Sequence, residues 1–136
     1  MPSEISRLNP AGLHDTPGYH HVTVATGGRL AFLAGQCPVD PNGTVVGPHD
    51  VLVQVDQVAT NALTALTAVG AVPEHVVRSV IYVVTAERSV LAEVWTRFRE
   101  SPLAAAFTTA STLLGVAQLG YPGQLVELDL TAVLPD

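Results

Sequence analysis

The 136-residue chain contains no lysine, and its six arginines face twelve acidic residues, which gives a net charge of −6 at pH 7. The absence of lysine excludes an internal Schiff-base lysine, a lysine-bound pyridoxal phosphate and a P-loop, because each needs that side chain. The arginines are scattered along the sequence. A nucleic-acid partner is therefore not expected, since phosphate binding needs a clustered basic face.

Cysteine is nearly absent as well, since Cys37 stands alone. An internal disulfide is excluded, and the reducing cytoplasm fits. The N-terminal sequence MPSEISRLNP lacks the basic and apolar regions of a signal peptide, and no apolar run reaches the ~18–20 residues of a membrane span. We expect a soluble, cytoplasmic protein with one domain over residues 1–136. Charged residues make up only 13% of the chain, which fits either a buried oligomer interface or a well-packed monomer.

The hydrophobic pattern predicts an α+β domain. Apolar residues recur every three or four positions over 50–69 and 87–100, which predicts two helices, the first capped by Asp50 and ended by Gly70. Strands are expected at 3–8, 20–25, 30–35, 76–84, 113–119 and 125–134, with a hairpin turn at Gly27-Gly28 and loops over 36–49 and 103–110. This order predicts a mixed sheet with two helices on one face, the other face being covered by another subunit.

Few residues suggest metal or nucleophilic chemistry. His20 and His21 are adjacent on a predicted strand, so they should point to opposite faces and not share a metal ion. No HExxH or similar spacing occurs, and no metal site is expected. Cys37 has no obvious neighbouring base, which favours a packed thiol over a nucleophile. Ser111 lacks the GxSxG sequence of a nucleophile elbow.

Glu127 lies in the last predicted strand, where apolar residues alternate with Glu127 and Asp129. The two carboxylates therefore share one face of that strand. That face is either exposed to solvent or turned towards another subunit. In the second case an apolar cleft would raise the pKa of Glu127, as general acid/base catalysis requires.

Several segments occur in the order seen in one known family. They are the Pro17-Gly18-Tyr19 turn, the stretch LAFLAGQCPVDPNG from Leu30 to Gly43, the helix from Asp56 to Gly70, the strand RSVIYVV from Arg78, and the pair GVAQL from Gly115 and LVELD from Leu125. Each segment is weak alone, but the ordered set covers about residues 5–134. The chain resembles the RidA/YjgF family of imine and enamine deaminases, also called L-PSP endoribonucleases.

The resemblance implies a chorismate-mutase-like α+β fold and a homotrimer whose sheets form a central barrel. It also implies a cleft at each subunit interface for a small carbonyl, carboxylate or imine ligand, with no cofactor. In deaminating members an arginine holds the substrate carboxylate, which a guanidinium does in bidentate fashion. A glutamate on the last strand positions or activates the attacking water.

The family's site residues carry over only in part. Tyr19, Gly35 and Glu127 match the family's tyrosine, glycine and glutamate. Ser111 stands where the family has its arginine, and Leu113 stands where a cysteine often follows. The resemblance therefore implies an arginine-lacking subgroup, with Glu127 as the catalytic residue and with Tyr19, Gly35, Ser111 and Leu113 as ligand-binding residues.

Three functions remain open at this point. The first is hydrolysis of an imine, enamine or related carbonyl compound through Glu127. The second is binding of a small metabolite in the same cleft without chemistry. The third, an endoribonuclease, is disfavoured because the sequence has no basic patch and no paired His/Lys site.

Overall fold

The computed structural model describes residues 4–135, which form six strands and two α-helices. In chain order they are β1 (Glu4–Leu8), β2 (Val22–Thr26), β3 (Leu30–Phe32), α1 (Val51–Ala68), β4 (Val76–Val84), α2 (Arg88–Arg99), β5 (Ala110–Val116) and β6 (Val126–Val133). Short 3₁₀ helices at Pro73–His75 and Ala104–Phe107 precede β4 and β5. No helix in the described range is long and apolar enough to cross a membrane.

Helix α1 begins and ends where the sequence predicts. The Asp50 carboxylate accepts a hydrogen bond from the backbone N–H of Val53 at 3.2 Å, which satisfies one free donor of the first turn. Gly70 follows the helix at φ +75°, a conformation that favours glycine. The apolar face of α1, including Val55, Val58 and Leu66, is fully buried and forms much of the core.

The strands form two sheets. β1 and β2 pair antiparallel as a two-stranded sheet, and the larger sheet has the order β3-β6-β4-β5. β4 and β5 are parallel, whereas β6 is antiparallel to both of its neighbours. The predicted mixed sheet is therefore confirmed. Helix α2 connects the two parallel strands, as such a crossover requires.

The two faces of the larger sheet differ in what covers them. Ile81, Leu128 and Leu130 point to the face that packs against the helices, and they are buried in the core. The opposite face, which we call the open face, carries half-buried polar side chains in its centre and Phe32, 75% exposed, at its β3 edge. Neither α1 nor α2 packs on this face.

One predicted strand pairing is wrong, and one predicted strand is shifted along the chain. Gly27 and Gly28 do form a turn with positive φ, but the strands beside it belong to different sheets, because β2 pairs with β1 and β3 pairs with β6. The strand predicted at 113–119 lies at Ala110–Val116. It ends at Val116 because its parallel partner β4 ends at Val84, directly opposite. The N-terminal part of the predicted loop 103–110 is a 3₁₀ helix.

The other strand boundaries differ by smaller amounts. The predicted strand 30–35 is regular only as far as Phe32. The predicted strand 20–25 begins at Val22, after the two histidines. Position 3, the first residue of the first predicted strand, lies outside the described residues.

Candidate functional site

A β-bulge places Gly35 against the carboxylate of Glu127. The backbone N–H of Leu33 bonds the carbonyl of Leu130, and Gln36 exchanges both backbone hydrogen bonds with Leu128. The segment 33–36 thus has one residue more than the facing part of β6, which is the definition of a bulge. A Cβ at position 35 would lie 2.2 Å from Glu127 Oε2. Glycine is therefore the residue that lets this carboxylate stand where it does.

The Glu127 carboxylate is held by one of its two oxygens. Oε1 accepts a hydrogen bond from the thiol of Cys37 at 3.3 Å and another from the side-chain amide of Gln124 at 3.1 Å. Oε2 has no hydrogen-bond partner within residues 4–135. The side chain is half-buried. One oxygen is therefore fixed, while the other is available to a water molecule or ligand.

The thiol of Cys37 is a donor to this carboxylate and not a nucleophile. Burial, and after it the hydrogen bond and charge of the neighbouring Glu127 carboxylate, raise the pKa of Cys37 to about 11. The group is therefore protonated at neutral pH. This agrees with the packed thiol favoured by the sequence.

Asp129 is the second carboxylate of the open face. It accepts a hydrogen bond on Oδ2 from the hydroxyl of Tyr82 at 3.2 Å. The pKa of Tyr82 is raised by burial and by the charge of Asp129, so the phenol keeps its proton and remains a donor. Asp129 Oδ1 would lie 3.1 Å from a Cβ at Gly35. The two carboxylates predicted to share a face therefore both lie beside the bulge.

A separate cavity of about 620 Å³ lies between the N-terminal loop, α2 and β5. This volume is within the range of small-molecule sites. We call it the α2 cavity. It is lined by Pro17, Tyr19, Arg88, Leu91, Ala92, Trp95, Thr96, Ser111, Thr112 and Leu113. Three of the predicted ligand-binding residues, Tyr19, Ser111 and Leu113, thus meet in one place.

Tyr19 is held in the α2 cavity by contacts from α2. The carbonyl of Pro17 accepts hydrogen bonds from Trp95 Nε1 at 3.1 Å and from Arg99 Nη1 at 2.9 Å. Gly18, at φ +105°, lies so close to Arg99 that a Cβ there would be 2.5 Å from the guanidinium carbon. The Tyr19 ring then packs edge-on against Trp95 with centroids 6.1 Å apart. Neither Trp95 nor Arg99 is among the site residues predicted from the sequence.

The hydroxyl of Ser111 is already used inside the protein. It accepts a hydrogen bond from the hydroxyl of Ser79 at 2.6 Å and donates its own proton to the carbonyl of Thr109 at 2.9 Å. Ser79 is completely buried. Ser111 therefore lines the cavity but has no free proton to offer a ligand.

The predicted site residues fall into two groups within one chain. Gly35 and Glu127 are in contact at the open face, and neither lines the α2 cavity. Ser111 and Leu113 pair in register with the buried Ser79 and Ile81 on the helix-covered face. Strand β4 lies between β5 and β6. A single subunit therefore does not bring the two groups together.

The side chains of His20 and His21 contact backbone carbonyls. Because His20 and His21 precede β2, the reasoning that a strand turns them to opposite faces is wrong. The Nδ1 atom of His20 instead contacts the carbonyl of Thr108, and Nε2 of His21 lies 2.8 Å from the carbonyl of His14. Over residues 4–135 no group of three or more histidine, cysteine, aspartate or glutamate side chains is placed to hold a metal ion.

Comparison with known proteins identifies the family. A curated relative, protein DfrA of Myxococcus xanthus, is 32% identical over 117 residues, which are 85% of this chain and 84% of DfrA. The crystal structure of YyfB from Yersinia pestis, a Rid-family protein of unknown function, superposes with a TM-score of 0.82 at 30% identity and covers 96% of this chain and 98% of that one.

A second solved structure is NMB1025 of Neisseria meningitidis, a member of the YjgF family. It is 26% identical, with a TM-score of 0.64 and coverage of 98% of this chain and 97% of that one. The family model described as Endoribonuclease L-PSP matches residues 13–134. The resemblance seen in the sequence is therefore confirmed, and the chain belongs to the L-PSP family, which includes the Rid and YjgF proteins.

Proposed function

We propose that this protein hydrolyses the C=N bond of a small imine or enamine, with Glu127 as the acid/base group. The observation that carries the proposal is the state of the Glu127 carboxylate. Cys37 and Gln124 fix Oε1, while Oε2 has no partner among the described residues. A general base needs this combination of a fixed orientation and one free oxygen within reach of a water molecule.

The reaction balances without a cofactor. Glu127 takes a proton from water as the oxygen attacks the imine carbon, and it delivers that proton to the nitrogen, which gives a carbinolamine. Glu127 then moves the hydroxyl proton to the amino group. The C–N bond breaks, ammonia leaves, and a carbonyl compound remains. An enamine enters the same route after it tautomerises to the imine.

The complete cleft in this proposal lies between two subunits of a homotrimer. Glu127 and Gly35 come from the open face of one subunit, and Tyr19, Ser111 and Leu113 come from the α2 cavity of its neighbour. Two facts support an assembly: the two groups are separate within one chain, and Phe32 is 75% exposed on a face that no helix covers.

Sedimentation equilibrium is expected to give about three times the 14.2 kDa chain mass. A stable monomer would contradict the shared cleft.

The decisive experiment measures imine consumption. Imines are made in situ by an amino-acid oxidase, which gives 2-imino acids, or by an amine oxidase, which gives imines without the adjacent carboxylate. Semicarbazide traps what the protein does not hydrolyse. We expect the wild type to lower semicarbazone yield most with the second group, because Ser111 provides no positive charge beside the imine. Glu127→Gln should reduce the rate by about 10²–10⁴-fold, whereas Glu93→Gln, an exposed carboxylate on α2, should not.

Equal rates for Glu127→Gln and the wild type would reduce Glu127 to a structural carboxylate. If the wild type consumes no imine of either group, the hydrolase proposal fails. The alternative is then a protein that binds a small metabolite without turnover.

Mixed trimers test the shared cleft directly. Ala92→Trp is designed to fill the α2 cavity from an exposed helix position, and Glu127→Gln removes the base. Each variant alone should be inactive. When the two are mixed during assembly, about a quarter of the clefts combine an intact half from each variant, so about a quarter of the activity should return. No recovery in verified mixed trimers would contradict a cleft built from two subunits.

A further inference from the structure

Arg88 is the single charged residue among those that line the α2 cavity; the nearby Arg99 is bonded to the carbonyl of Pro17. The other residues that line it are neutral, and no acidic residue is among them. This is unusual for a chain in which acidic residues outnumber arginines by twelve to six. A cavity with one positive charge and no negative charge favours an anionic ligand over a neutral or cationic one.

Arg88 lies on the same helix face as the apolar wall of the cavity. Leu91, Ala92 and Trp95 follow it at spacings of three, four and seven residues, and all of them line the cavity. This spacing places side chains in one row along a helix. The Arg88 side chain is thus an extension of the wall formed by Trp95 and its neighbours.

Arg88 stands at the opposite end of the cavity from Tyr19. Helix α2 connects the parallel strands β4 and β5 and therefore runs antiparallel to both. Its first residue, Arg88, thus lies near the C-terminal end of β5, whereas Ser111 lies near the N-terminal end of that strand. Trp95, which packs on Tyr19, is seven residues further along the helix. At 1.5 Å per residue, Arg88 and Trp95 are about 10 Å apart along the axis.

Arg88 also has no partner inside the chain. Four of the six arginines use their guanidinium groups internally: Arg7 on the carbonyls of Glu74 and Val76, Arg78 on Thr112, Arg97 on Asp56, and Arg99 on Pro17. Within residues 4–135, Arg88 and Arg29 make no such bond. Arg29 follows the Gly27-Gly28 turn and does not line the cavity.

We infer that Arg88 is a specificity-determining residue that binds a carboxylate of the ligand, remote from the end of the cavity formed by Tyr19 and Ser111. The ligand is then an extended carbonyl or imine compound whose anionic group is separated from its reacting carbon by several bonds. The inference rests on the proposed function for the cleft in which the ligand lies, but not on the chemistry of Glu127.

Binding can be measured without turnover, because Trp95 is the single tryptophan of the chain and lines the cavity. Its fluorescence reports titration with 4-oxopentanoate and with the neutral 4-oxopentanamide, which has nearly the same shape. The wild type should bind the acid about three- to fivefold more tightly than the amide, as a charge-assisted hydrogen bond to an exposed arginine provides. The preference should weaken as salt is added.

Two variants complete the test. Arg88→Gln should bring the acid-to-amide affinity ratio to about one without changing the affinity for the amide. Arg29→Gln, which removes the other unpaired arginine, should leave the ratio unchanged. The proposal is overturned if neither probe binds, if the wild type does not prefer the acid, or if Arg88→Gln keeps the preference. Loss of imine turnover in Glu127→Gln with the acid preference intact would separate this result from that of the proposed function.

Discussion

The thiol of Cys37 reports directly on the charge of Glu127. Sγ donates to Oε1 at 3.3 Å, so a thiolate at this position would face a carboxylate at hydrogen-bond distance. The Glu127→Gln substitution removes that charge and keeps the size of the side chain. We therefore predict that it lowers the pKa of Cys37.

The size of the change follows from the causes of the raised pKa. The pKa of Cys37 is about 11 against an ordinary 9.0, which reduces the thiolate fraction near neutral pH roughly a hundredfold. Burial is the largest cause, followed by the hydrogen bond and the charge of Glu127, with Asp129 contributing least. Glu127→Gln should thus raise the thiolate fraction of Cys37 near neutral pH roughly tenfold. The pKa should still remain above 9.0, because burial persists.

Alkylation of the native protein by iodoacetamide measures this effect, and the single cysteine removes any ambiguity about the modified residue. Rates between about pH 7 and 9 are sufficient, since the thiolate fraction rises tenfold per pH unit below the pKa. Glu127→Gln should be alkylated fastest, followed by Asp129→Asn and then by the wild type. Glu93→Gln should react at the same rate as the wild type. An unchanged rate in Glu127→Gln, or a larger increase in Asp129→Asn, would refute the geometry.

Three further predictions concern other contacts. Gly35→Ala should displace the Glu127 carboxylate and reduce turnover with little change in Tm, because a flexible side chain can move; Gly120→Ala, where a Cβ meets open space, is the matched control. Gln54→Ala should cost about 3 kcal/mol in urea unfolding, because a fully buried amide loses three backbone hydrogen bonds to two loops. The hydrogen bond from Arg97 lowers the pKa of Asp56. At pH values above the ordinary aspartate pKa, Asp56→Asn should therefore reduce Tm by a small amount. The difference from the wild type should vanish as pH falls through the lowered pKa or as salt is added.

The helices could be predicted because their signals are local. Asp50 caps the first turn of α1, Gly70 ends it, and the spacing of apolar residues between them fixes the buried face. The strand pairings depend on partners far along the chain. The Gly27-Gly28 turn is correct, but its flanking strands find better partners in β1 and β6, which no local pattern reveals.

The candidate site was predictable to a similar degree. Alternation along the last strand placed Glu127 and Asp129 on one face, as the structure has them. The roles of Trp95 and Arg99 were missed because helical spacing assigns a residue to the apolar face but does not say what that face contacts. The apolar spacing of the second helix includes Trp95, and its ring does pack against the core, on Phe107; the ring also lines the cavity, and its N–H holds the N-terminal loop.

The hydrogen bonds of Ser111 bear on how the cavity came to hold its charge on α2. On β5, position 111 is next to Ser79, a fully buried hydroxyl that needs an acceptor. Ser111 provides one, whereas an arginine at this position could only donate and would leave the Ser79 proton without its present acceptor, at a cost of about 1–3 kcal/mol. Serine at position 111 and serine at position 79 therefore form a matched pair, and a Ser111→Arg substitution should be combined with Ser79→Ala. Position 111 therefore serves the internal hydrogen bonding of the sheet, and among the residues that line this cavity the positive charge is that of Arg88 on α2.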